Sequence, residues 1–163
     1  MLMMRQRVRK LRFAAVSAVA VVLASGWVLI REWSELPSVP SSVAQSVQSE
    51  DVRILAEREG TNPGNDWEQS YVLVATSPYA EPVDAIEGAL RSTGWVTSRG
   101  DSDPLVLGGD RPKNHPEYGV TVQRLDSFMD SSCFEYEDVC EEFKKAARGK
   151  GLEFFVVDFM PYV

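Results

Sequence analysis

The hydrophobic pattern of this chain predicts an α+β domain with the order strand, helix, strand, strand, helix, strand, preceded by one membrane-crossing helix. Three observations carry that expectation. Two apolar, β-rich runs, Tyr71 to Thr76 and Leu152 to Phe159, are bounded by turn formers. Two stretches, after Pro82 and around Tyr136, repeat apolar residues at helical spacing, and an uncharged run stands near the N-terminus. Two helices packed on one face of a mostly antiparallel four-stranded sheet, the ferredoxin-like βαββαβ sandwich, satisfy this order.

Residues 1–12 carry Arg5, Arg7, Arg9, Lys10 and Arg12 and no acid, and read as a basic cytoplasmic tail. Residues 13–30, from Phe13 to Ile30, contain no charge. As a helix they rise about 27 Å, close to the hydrocarbon thickness of a bilayer, and the cations before them place the N-terminus in the cytoplasm. Trp27 and Trp33 suit the outer headgroup region. The competing reading is a cleaved signal peptide, with small residues at Ala24 and Gly26, but the apolar run exceeds the usual length of a signal core. The expected location is therefore the cell membrane, single-pass, with the lipid bilayer contacted through residues 13–30 and the C-terminal domain extracytoplasmic.

Residues 31–51, rich in Ser and interrupted by Pro37 and Pro40, read as a stalk whose second half can be helical, since Val43, Val47, Ile54 and Leu55 share a face. The folded domain is expected over 52–163. Within it, Tyr71 to Thr76 is the first confident strand, buried on both faces. A helix starts at Pro82, places Asp84 and Glu87 near its positive end, and stops at Gly94. Trp95 to Ser98 and Leu105 to Leu107 are weaker strands around an expected turn, Arg99 to Pro104, and can be one interrupted strand. Gly119 to Leu125 alternates as a strand with one wet face. Tyr136, Val139, Cys140, Phe143 and Ala147 form the best helical stripe, with Gly149 and Gly151 as stops, and Leu152 to Phe159 is expected at the sheet centre.

The helix end Ala89 to Trp95, the basic N-terminus, the Ala/Val-rich apolar segment and the Ser/Pro-rich stretch together resemble the small membrane-anchored proteins common in actinobacteria. The resemblance is one of layout and implies no activity.

The net charge is −7, and without the basic tail the remaining residues carry 12 basic against 24 acidic groups. A domain so acidic repels phosphate backbones, which excludes nucleic acid as a partner and favours cationic or neutral ones. Chemistry-bearing motifs are few. His115 is the only histidine, in a stretch 108–119 that reads as an exposed polar loop with Asp110, Arg111, Lys113 and Glu117. No ligand pair flanks it at metal-binding spacing, Gly108-Gly109 lacks the Lys of a phosphate loop, and Asp101, Asp103 and Asp110 lack the calcium-loop pattern, so no cofactor or metal is expected. Arg99-Gly100-Asp101 spells an adhesion tripeptide too short to carry weight.

Cys133 and Cys140 are the only cysteines. Export favours a disulfide between them. A capping pattern, Ser132 with Glu135, would instead start the helix at Cys133 and hold their Cα atoms about 10.5 Å apart, beyond bridging distance. The function expected from all this is a tethered, non-enzymatic interaction or accessory domain binding a protein or envelope partner through its sheet or the 108–119 loop. The alternatives are a small exported hydrolase or ligand-binding enzyme centred on His115, and a structural subunit of a membrane complex.

Overall fold

Six strands form one antiparallel sheet in the order β1-β2-β6-β5-β4-β3. The computed structural model describes residues 36–61, 66–148 and 152–162. Its strands are β1 (Val52–Thr61), β2 (Glu68–Thr76), β3 (Val96–Ser102), β4 (Leu105–Arg111), β5 (Tyr118–Arg124) and β6 (Phe154–Pro161). The helices are α1 (Ser41–Ala44, continued by a 3-10 turn Gln45–Val47), α2 (Pro82–Ser92), α3 (Leu125–Ser132) and α4 (Glu137–Ala146).

The ferredoxin-like expectation is therefore corrected: the fold is α+β, but the sheet has six strands, and helices cover both of its faces. Two elements make the difference. β1 is a strand, although its Ile54 and Leu55 share the helical face expected for Val43 and Val47; Arg53, Glu57, Arg58 and Glu59 interrupt its apolar residues and a bulge between Ile54 and Ala56 breaks its alternation. β3 and β4, expected either as two weak strands about a turn or as one interrupted strand, are the two arms of a hairpin, and Arg99 to Ser102 continue β3 rather than turning. The expected membrane span 13–30 lies outside the described residues, among which no helix is long and apolar enough to cross a membrane.

The first sheet face buries Val52, Val72, Val74, Leu107, Val120, Val122, Phe155, Val157 and Phe159 beneath α1 and α2. Residues expected in a stalk contribute to this core: Val39, Val43, Ala44 and Val47 are all buried. The lead-in is pinned as well as packed. Trp95 Nε1 donates to Ser46 Oγ at 2.9 Å, and Thr93 Oγ1 donates to the Ser46 carbonyl at 3.1 Å. A buried indole N–H needs such an acceptor.

The second face buries Tyr71, Leu73 and Val156 beneath α3 and α4, which supply Phe128, Val139, Cys140 and Phe143. β6 lies between β2 and β5, so its run Phe155 to Phe159 is buried on both faces. Burial of an apolar strand on both sides is the reason it reads as a continuous hydrophobic run.

Candidate interaction surface

Cover on the second face is unequal. Val139, Cys140 and Phe143 of α4 and Phe128 of α3 pack with Tyr71 and Leu73 of β2 and Val156 of β6. From this side the main helix contacts fall on β1, β2, β5 and β6, and none of comparable extent reaches β3 or β4 among the described residues. The register assigns the side chains of the open half: Val96 pairs with Asp110 and Ser98 with Gly108, while Gly108 pairs with Thr121 and Asp110 with Gly119. Leu105 and Gln123, paired with each other, continue it. Val96 is 44% exposed, Leu105 37% and Tyr162 50%. Gly108 adds no side chain between them, so this half is a shallow shelf with apolar points at its rim.

Tyr162 lies over part of the shelf. A Cβ on Gly119 would come within 2.9 Å of the Tyr162 hydroxyl, and that hydroxyl donates to Asp110 Oδ1. The pairing holds the Tyr162 phenol above its ordinary pKa, chiefly through the hydrogen bond to the Asp110 carboxylate and then through burial.

A buried polar cluster marks the border between the covered and open halves. Asp158 of β6 stands in register between Tyr71 of β2 and Thr121 of β5. Tyr71 donates to Gln69 Oε1 at 2.7 Å, and the Tyr136 hydroxyl lies 3.5 Å from the same oxygen. Asp158 Oδ1 has no hydrogen-bond partner among the described residues, nor does Gln123 Oε1. Burial raises the Asp158 carboxyl to about 7, and it raises the Tyr71 phenol, helped by the nearby Asp158 charge.

Tyr136 reaches this cluster because the chain reverses tightly between α3 and α4. The backbone N–H groups of Glu135 and Tyr136 both donate to the Ser132 carbonyl at 3.0 Å, and α4 starts at Glu137. The Ser132–Glu135 capping pattern thus starts no helix at Cys133. With a turn between them, Cys133 and Cys140 have Cα atoms 5.6 Å apart and are joined by a disulfide. Phe134, inside the bridged loop, is fully exposed.

The loop residues singled out in the sequence are divided by the structure. Asp110 and Arg111 belong to β4, and the hairpin loop shrinks to residues 112–117. Lys113, His115 and Glu117 are exposed on it, and the side chains of Lys113 and His115 make no hydrogen bond or ion pair among the described residues. Asp110 alone of the five joins the shelf. Arg99, of the adhesion-like tripeptide, pairs across the other face with Asp84 and Glu87 of α2. No cluster of three potential metal-ligating side chains occurs among the described residues.

Sequence reasoning missed Asp158, Gln123, Val96, Leu105 and Tyr162. Asp158 alone left a legible sign: it is the one charge inside the apolar run Phe154 to Phe159. The others look like ordinary strand or terminal residues until the register is known. No family model, no curated protein and no solved structure matches this chain.

Proposed function

We propose that this protein is a membrane-tethered interaction domain on the extracytoplasmic side, non-enzymatic, which receives a protein partner on the open half of its second sheet face. One observation carries the reading: on the half of the second face beyond α3 and α4, Val96, Leu105 and Tyr162 stay exposed. Exposed apolar groups gathered on one face are the usual mark of an interaction site. The acidic balance of the chain beyond its basic tail selects a cationic or neutral partner. A tether through residues 13–30 would raise the effective concentration of a membrane-bound partner without adding contacts.

The hydrolase reading centred on His115 has less support, since its side chain stands on an exposed hairpin with no carboxylate in hydrogen-bonding reach among the described residues. The test is substitution of the shelf. Val96→Glu combined with Leu105→Glu adds charge to side chains that are already partly solvated, so the unfolding midpoint should hold while partner capture from membranes is lost. Capture undiminished in the folded double variant would contradict the proposal.

A further inference from the structure

The two unpartnered acceptors at the border of the shelf lie on neighbouring strands and on the same face. Asp158 pairs with Thr121, and Gln123, two residues along β5, pairs with Val156. Such diagonal neighbours sit about 7 to 8 Å apart at Cα, close enough for their side chains to address one group. Asp158 exposes only 9% of its surface, and both Asp158 Oδ1 and Gln123 Oε1 are buried. With Asp158 ionised, both atoms accept and neither donates. What they lack is a donor, and a carboxylate beside an amide oxygen prefers one that is positively charged.

The approach is set by what lies beside them. Gly108 adds no side chain to the floor, Gly119 lies buried beneath the Tyr162 ring and Met160, and Tyr162 is bonded to a second carboxylate, Asp110. An aromatic ring and an acidic group at the entrance both attract a cation. Two acceptor oxygens on separate side chains suit a compact head with several donors. A lysine ammonium offers three donors on a four-carbon stem, whereas a guanidinium is a planar fork suited to both oxygens of one carboxylate.

We propose that Asp158 and Gln123, entered past Tyr162 and Asp110, form a site for a primary ammonium group, the lysine side chain of a partner protein laid on the shelf. The site deepens the interaction reading and rests on it for the source of the lysine. On binding, Asp158 Oδ1 and Gln123 Oε1 each accept a hydrogen bond from the ammonium, and its stem lies over Thr121 beside Tyr162.

The test uses the full chain in detergent, with Nα-acetyl-lysine methylamide as probe and the corresponding norleucine derivative as its uncharged match. Backbone amide resonances of Gly119, Thr121 and Gln123 should shift saturably with the lysine probe and not with norleucine. Asp158→Asn and Gln123→Leu should each weaken that binding at least about tenfold, a loss of roughly 1.4 kcal/mol. Neither should lower the unfolding midpoint, because each removes an unsatisfied buried acceptor or charge. The Val96→Glu, Leu105→Glu variant should keep lysine binding while losing partner capture. Absence of a saturable shift, an equal response to norleucine, or binding indifferent to Asp158→Asn would overturn the site. Partner capture that survives the shelf variant, with lysine binding intact, would instead overturn only the interaction reading.

Discussion

At the scale of single residues, Asp158 is the most consequential group in the domain. Its carboxyl has an ordinary value of 3.8 and is raised by burial to about 7 in the folded chain. Below 3.8 it is protonated in both states and costs nothing. Between 3.8 and about 7 the unfolded chain releases the proton while the folded chain keeps it, so stability falls as pH rises, and above 7 the cost is constant. At about 1.4 kcal/mol per unit the full cost is up to roughly 4 kcal/mol. Facing groups are the Tyr71 and Tyr136 phenols, raised by burial and so neutral in this range, and Glu135 near the turn. Asp158→Asn should therefore raise the denaturation midpoint at pH 8, with the gain shrinking toward zero near pH 4. A pH-independent effect would show that Asp158 does not titrate in that window. Phe143 behaves more simply: it is fully buried between α4 and the sheet, 6.2 Å from the ring of Phe128. Phe143→Ala should cost about 3 to 5 kcal/mol in equilibrium unfolding, and a loss under 1 kcal/mol would contradict its placement.

At the scale of elements, the turn between α3 and α4 and the β3–β4 hairpin are the most constrained. Removing the bridge with Cys133→Ser and Cys140→Ser releases a loop of sequence separation 7, for which chain entropy predicts a loss of about 2 kcal/mol. Intact mass after alkylation without reduction checks the bridge itself, and two alkylated thiols in the wild-type chain would refute it. In the hairpin, a Cβ on Gly109 would meet the Val96 carbonyl at 2.7 Å and Thr97 Cα at 3.2 Å. Both are backbone atoms that cannot swing aside, so Gly109→Ala should destabilise by about 1 to 3 kcal/mol and speed hydrogen exchange in β3. Unchanged exchange would mean that the two strands are not paired as described.

The sequence was informative about elements with a strong period and blind to the rest for physical reasons. Helix α2 shows Pro82 at its start and apolar residues on one face, and α4 carries its stripe openly. β6 is legible because both of its faces are buried. β1 is an edge strand whose charged residues remain wet, and Arg58 pairs with Glu142 of α4, so its alternation is diluted below recognition. α3 was overlooked because Asp126, Ser127, Asp130 and Ser131 leave few apolar residues to repeat. Of the shelf, only Asp110 was singled out, since pairing across strands far apart in sequence is what gathers it.

At the scale of the whole molecule, adding β1 at one edge and splitting β3 from β4 at the other widens the sheet beyond what α3 and α4 can cover. The covered half is a conventional core. The open half follows from that mismatch, and the tethered-partner reading depends on it. Its decisive measurement is site-specific photo-crosslinking of the full chain in intact cells, with a photoreactive residue placed in turn at Val96, Leu105 and Tyr79. Tyr79, 97% exposed in the turn between β2 and α2, is the control. The account predicts one shared protein adduct from positions 96 and 105 and none from 79. Adducts formed equally from all three positions, or from 79 alone, would contradict it.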